Sequence, residues 1–287
     1  MASTFRTAAL HLKTARRLVG RGQGSLRARL GPLDERLVFV VGSPRSGTTF
    51  LGRTLGSIPG FVDLGEVAPL KAAIPELASL TPADAAPRVR AILDRTRRLG
   101  LIGAVRAVEQ TPETAFILPA ALAAYPRAGA VHIVRDGRDV VCSLLERGWL
   151  RAGQARTDDA GRPFGAEARS WVEPERREEF PRASETRRAA WAWRCYVEAA
   201  RAAPERTHEI RYERLAADPV RAAAELADFL DAPEAEVRAA LADVHDDSIG
   251  RFRRELSLEQ LDEVLAEAGG LLRELGYLAD AEARNRA

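Results

Sequence analysis

The sequence predicts an α/β fold of three layers: a central parallel sheet between helices, with a helical C-terminal part. Three observations predict it. Short apolar β-like runs alternate with helical stretches over most of the chain, the pattern that builds a parallel sheet covered on both faces. The first run, LVFVV, feeds a glycine-rich turn that opens a helix at Phe50 and Leu51. The polar residues suited to chemistry fall just after the runs, and open α/β sheets bind ligands beyond the C-terminal ends of their strands.

Taken in order, residues 1–36 stand apart as a basic N-terminal arm or helix. Their first acid is Asp34, and Phe5, Ala9, Leu12, Ala15 and Val19 recur at helical spacing among Arg and Lys. Such a segment either packs on its own domain, hangs as a loose arm, or makes weak membrane-surface contact through residues 1–20. Residues 37–287 read as the main domain. Strands are predicted over 37–42, 61–64, 105–109, 130–135 and 207–211. Helices are predicted over 47–57, 66–80, 87–99, 112–125, 138–147 and 184–203, then 219–230, 233–243 and 258–275. Across about 148–182 the pattern breaks into a polar insertion carrying Trp149, Phe164 and Trp171, which reads as a functional lid or a mobile loop that helps choose the substrate.

Composition narrows the classes. Of 43 basic residues only Lys13 and Lys71 are Lys, so 41 are Arg. With abundant Ala this matches a GC-rich, bacterial codon bias and carries no weight for an acidic partner. No basic face with interleaved aromatics suggests nucleic acid. No apolar run approaches the roughly 18 residues of a membrane span, and no signal-peptide stretch is visible. The two cysteines, Cys142 and Cys195, make no disulfide framework, which points to a reducing cytoplasm. No His/Cys cluster has metal-ligand spacing. The oligomeric state is not legible.

The turn Gly42-Ser43-Pro44-Arg45-Ser46-Gly47-Thr48-Thr49 carries the chemistry. A strand, a glycine loop and a helix N-terminus together present free N–H groups and the helix dipole to an anion. The spacing approaches GxxxxGK[ST], but Thr48 stands where Lys should and the base has moved forward to Arg45. That disfavours Mg-ATP or Mg-GTP hydrolysis and suits a phosphosulfate.

GSPRSGTTFL, and further on VHIVRDGRDVVCSLLERG, resemble the sulfotransferases that use 3′-phosphoadenosine 5′-phosphosulfate (PAPS) and release 3′,5′-ADP (PAP). The Arg form of the loop is closer to the tyrosylprotein and carbohydrate branches. The resemblance spans roughly 37–277 and implies a P-loop NTPase-like sulfotransferase fold. It places Arg45, Ser46, Gly47, Thr48 and Thr49 at the 5′-phosphosulfate. It places Arg135, and Ser143 eight residues on, at the 3′-phosphate, where Arg offers a charged fork and Ser a hydroxyl. The bland reading of this second motif is a capped helix with Asp136 paired to Arg135 or Arg138. Glu66 lies 21 residues after Arg45, where the tyrosylprotein branch places a base that takes the acceptor's proton. Otherwise it is a first-turn acid of the next helix. Arg45 and Ser248 are read as catalytic beside it.

In VEQTP, related enzymes often carry Lys where Gln110 stands, and the missing charge suggests a weakened or unusual enzyme. Tyr212 in EIRYERLAADP lies near the nucleotide or in the core. DDSIGRFRREL resembles the family's last nucleotide loop, which implies Ser248 at the phosphosulfate and Arg251 at the 3′-phosphate; otherwise it holds a capping Ser and solvated arginines. His245 is the rival base, His132 a core residue, and Trp191 and Trp193 core or a substrate wall. The resemblance thus implies in-line transfer from PAPS to a hydroxyl of a carbohydrate, glycolipid, phenolic natural product or peptide tyrosine, with no metal because the loop supplies the positive field. Two other classes stand beside it: a degenerate P-loop kinase or NTPase, and a non-catalytic PAPS/PAP-binding protein.

Overall fold

The computed structural model describes residues 2–278. Its sheet comprises β1 (Val38–Val41), β2 (Phe61–Gly65), β3 (Arg106–Glu109), β4 (Gly129–Val134) and β5 (Thr207–Arg211), in the order β2-β3-β1-β4-β5. All four neighbouring pairs are parallel. β1 is central and wholly buried, and its side chains alternate between two cores as a period of two demands. Val38 and Val40 enter one core with Leu51 and Leu55 of α3 (Thr48–Ser57). Phe39 and Val41 enter the other with Leu70 and Ile74 of α4 (Ala68–Leu77) and Val89 of α5 (Pro82–Leu99). These are the three layers that the sequence predicts.

Several boundaries differ from expectation for local reasons. α5 begins five residues before Pro87, because Thr81 Oγ1 accepts from the Asp84 N–H and Pro82 suits the first turn. The stretch expected as one helix over 112–125 is a 3-10 turn, Pro112–Ile117, followed by α6 (Leu118–Ala124). Glu66 precedes Val67, the N-cap of α4, so it is not a first-turn acid. α7 (Gly137–Arg147) starts on Asp136, whose side chain caps the Arg138 N–H. α8 (Glu185–Ala200) brings Trp191 and Trp193, both fully buried, into the core.

The N-terminal α1 (Ala2–Leu18) docks on the domain by a face that shares Ala15 with the stripe read from hydropathy but leaves Ala9, Leu12 and Val19 out. Its buried face is His11, Thr14, Ala15 and Leu18, while Leu12 and Val19 are 59% and 53% exposed. His11 Nδ1 sits 3.1 Å from Thr96 Oγ1 of α5. Phe5 lies among residues whose side chains are outside the described set.

Gly42 ends β1 at φ +147°, and a Cβ there would stand 2.3 Å from the Ile133 carbonyl oxygen. Gly42→Ala is therefore expected to cost about 3 kcal/mol or more, combining backbone strain with an unrelievable clash. A urea melt checks it, and an unchanged midpoint would show that the loop can re-route.

Candidate active site

The turn after β1 is built on strained backbone. Arg45 holds φ +74° and Gly47 φ +102°, and the Ser46 N–H donates to the Ser43 carbonyl at 3.1 Å. No side chain caps α3, which leaves the N–H groups of its first turn for a ligand. A Cβ on Gly47 would meet the Tyr212 ring at 3.0 Å, so only Gly lets this ring close on the loop. The Ser46 hydroxyl is buried without a partner.

On one side of the loop is a cavity of about 240 Å³ lined by Arg45, Thr48, Thr49, Arg135, Tyr212 and Ser248, among others. Arg135 emerges from the end of β4, its guanidinium 5.0 Å from the Tyr212 ring centroid and bonded to the Ser248 carbonyl. Its Nε is buried without a partner. Trp193 Nε1 fixes the Arg135 carbonyl at 3.1 Å, so this tryptophan is core that positions the site. The Tyr212 hydroxyl donates to the His245 carbonyl at 2.8 Å, tying the 245–248 loop over the cavity. Orphaned Ser46 Oγ and Arg135 Nε, an uncapped helix and two arginines suit a polyanion with phosphate groups at two points.

On the other side is a cavity of about 300 Å³ that shares Arg45, Thr48 and Thr49 and adds Glu66, Lys71 and Glu113. The backbone around Glu66 is pinned. Arg17 of α1 donates to the carbonyls of Leu64 and Glu66, both at 2.7 Å, and the Val67 N–H donates to Thr111 Oγ1 at 2.9 Å. The Glu66 side chain, 28% exposed, accepts from Lys71 Nζ at 2.6 Å. Burial lifts the Glu66 carboxyl above its ordinary range, and the Lys71 charge opposes that rise. Glu109 at the end of β3 is wholly buried, pushed to about 7 by desolvation, and spends its oxygens on the Thr111 N–H and the Thr114 hydroxyl.

The 148–182 insertion walls this second cavity. Trp149 and Phe164 stack with centroids 5.3 Å apart and planes 5° apart. Arg45 lies 5.9 Å above the Trp149 centroid, and Arg169 lies 5.5 Å from that of Phe164. A short antiparallel bridge, Thr157 to Pro163, closes a turn whose Arg162 reaches the Lys71 carbonyl. Trp171 packs edge-on against fully buried Phe180, which anchors the far end.

The structure thus brings together Arg45, Ser46, Gly47, Thr48, Thr49, Arg135, Tyr212 and Ser248. It adds Ser143, whose hydroxyl accepts from Arg45 Nε at 2.9 Å. Glu66 joins them from the second cavity. Arg251 stands outside both cavities, its guanidinium on Glu146 at 3.2 Å and Glu255 at 2.7 Å. His245 lines the first cavity, away from Glu66, and His132 is buried against Glu209. Gln110 is also outside the cavities. Its amide donates to Asp63 Oδ1 at 3.1 Å, and its side chain lies against Gly52. The residue that sequence reasoning missed is Lys71. Among the described residues no group of three or more His, Cys, Asp or Glu could hold a metal ion, and no helix is long and apolar enough to cross a membrane.

A model of the sulfotransferase family matches residues 85–236, just over half of the chain. The matched part contains Arg135, Ser143 and Tyr212 but neither the Arg45 loop nor Glu66. Among solved structures, the sulfotransferase domain from the Synechococcus PCC 7002 olefin synthase is 17% identical, with a TM-score of 0.46, covering 82% of this chain and 95% of that one. Sulfotransferase STF1 from Mycobacterium tuberculosis H37Rv is 18% identical (TM-score 0.47, covering 84% and 78%). Mouse sulfotransferase SULT7A1, complexed with PAP, is 15% identical (TM-score 0.49, covering 91% and 96%). No curated protein is a significant match.

Proposed function

The chain belongs to the sulfotransferase family, and we propose that it transfers the sulfuryl group of PAPS to an acceptor hydroxyl with Glu66 as general base. One observation supports this reading above the rest: the two cavities meet at Arg45, Thr48 and Thr49. A donor anion in the first and a hydroxyl in the second would face each other across the uncapped start of α3. When bound, PAPS supplies an activated sulfuryl group on a phosphate leaving group.

The roles of the chain's own residues follow from their positions. Arg135 and Ser143 would hold the 3′-phosphate, and Tyr212 and Ser248 would close the donor cavity. Arg45, the first-turn N–H groups and the hydroxyls of Thr48 and Thr49 would meet charge growing on the leaving oxygen, which is stabilisation by groups fixed beforehand. Glu66 would take the proton that the acceptor oxygen loses as it bonds to sulfur, and the products would be the sulfate ester and PAP. Its burial-raised affinity for a proton makes it a better base than an exposed carboxylate. The second cavity is bounded by the Trp149–Phe164 stack and closed by the insertion, which favours a small ring-bearing acceptor, a phenol or a sugar, over a peptide chain.

Thermal melts with 3′,5′-ADP, ADP and Mg-ATP test the donor assignment in the wild type and in Arg135→Ala. At about a hundred times its dissociation constant, 3′,5′-ADP should add roughly 2.7 kcal/mol of stability, an increment that the variant loses. A shift with Mg-ATP instead would make this an altered P-loop nucleotide enzyme. Binding of 3′,5′-ADP without transfer to any hydroxyl in a panel of phenols, sugars and tyrosyl peptides would leave a nucleotide-binding protein.

A further inference from the structure

We propose that Lys71 is a positioning residue that keeps Glu66 ionised, and that Glu113 holds Lys71 in that role from its other side; this rests on the reading of Glu66 as the base. Lys71 Nζ lies 2.6 Å from Glu66 Oε2 and 3.5 Å from Glu113 Oε1, with its side chain only 9% exposed. The far oxygen of Glu113 is buried without a hydrogen-bond partner, so that carboxylate depends on Lys71 and on nearby Arg162 for its charge balance. Arg162 also bonds the Lys71 carbonyl, which fixes the start of the side chain while the two carboxylates fix its end. One N–H of the ammonium bonds Glu66 and the Glu113 carboxylate pairs with the same charge from 3.5 Å, so the side chain is held from both sides.

The other charges around Glu66 leave this role to Lys71. Glu113 and, from the insertion, Asp159 both favour protonated Glu66. Buried Glu109 at the end of β3 is pushed toward the neutral acid by burial and, in smaller part, by the Glu66 charge. Arg45, Arg156 and Arg169 face the cavity, but among the described residues only Lys71 bonds the Glu66 carboxylate. Arg17 of α1 reaches only the Glu66 carbonyl, and Tyr196 of α8 keeps its proton because burial raises it. Burial pushes Glu66 toward the neutral acid and Lys71 pulls it back.

The test reads Glu66 directly and needs no acceptor. The full chain, with glutamate carboxyl carbons labelled and 3′,5′-ADP present, is titrated by NMR, and the Glu66 signal is identified by its loss in Glu66→Gln. Lys71→Met should raise the Glu66 midpoint by about 1–3 pH units, the usual effect of removing an opposite charge at this distance. Lys71→Arg should return it toward the wild-type value, and Glu113→Gln should lower it less in the wild type than in the Lys71→Met background, because only the wild type also loses the hold on Lys71. A Lys71→Met midpoint within a few tenths of a unit of wild type would overturn the proposal. Should Lys71→Met not fold, Lys71→Gln decides, because a midpoint within a few tenths of a unit of wild type there overturns it equally. Full transfer activity in Glu66→Gln would instead remove the base assignment and leave the coupling standing.

Discussion

Glu66→Gln is expected to lower the rate of sulfuryl transfer by about 10²–10⁴-fold, the usual contribution of a positioned general base, while 3′,5′-ADP binds with near wild-type affinity. The two effects separate because the carboxylate lines the second cavity and is absent from the donor cavity. Gln preserves the shape, and its amide oxygen can still accept from Lys71, so the pinned backbone from Gly65 to Val67 should not move. The variant should also lose the acidic limb of the pH–rate profile. In the wild type, burial raises the Glu66 carboxyl, so activity falls as the pH drops through that raised value and the base becomes protonated. The Gln variant has no such group and should be slow and flat across the same range. Transfer of radioactive sulfur from labelled PAPS, measured across pH, checks both effects. A normal rate with the acidic limb intact would place the base elsewhere.

Much of the fold can be read from the chain because its signals are local. β1 and most of β4 are short apolar runs, and the loop between β1 and α3 declares itself by Gly42 and Gly47. The rule that ligands gather beyond strand ends then brings Arg45, Glu66, Arg135 and Tyr212 to one edge. The misses share one cause, which is that they depend on which residues meet in space. Lys71 sits in APLKAAIPEL, where nothing in the local pattern of a lone Lys among apolar residues singles it out. It is buried only because Glu113, 42 residues on, and the insertion close over it. Gln110 reads as a weakened version of a missing cation, yet it is a core residue bonded to Asp63. Hydropathy puts Leu12 and Val19 on the stripe of α1 beside Ala15, but of these three only Ala15 is buried, and polar His11 and Thr14 join it, His11 with a buried bond to Thr96. Arg251 is matched to a phosphate by motif position, but Glu146 and Glu255 take its charge.

Arg45 offers the second large effect, and its backbone makes the prediction unusually sharp. A non-glycine residue at φ +74° pays roughly 1–2 kcal/mol for the left-handed conformation, which persists only where the surroundings enforce it. Here the Nε bond to Ser143 and the contact with Trp149 hold the side chain between the two cavities. Arg45→Ala should therefore slow transfer by about 10²–10³-fold, the range seen when one fixed donor to developing charge is removed. Arg45→Gly should be equally slow but more stable than the Ala variant, by about 1 kcal/mol, because glycine accepts this φ without penalty. Arg45→Lys should fall between wild type and Ala in rate, since it keeps a charge but lacks the Nε–H and the planar face. Urea melts of the Gly and Ala variants, set beside their transfer rates, separate backbone from side chain. Equal stabilities would mean that the loop relaxes once the guanidinium is gone, and undiminished transfer in both would remove Arg45 from the junction. If the glycine variant is the more stable and the less active, arginine is at this position for chemistry, in spite of what it does to the fold.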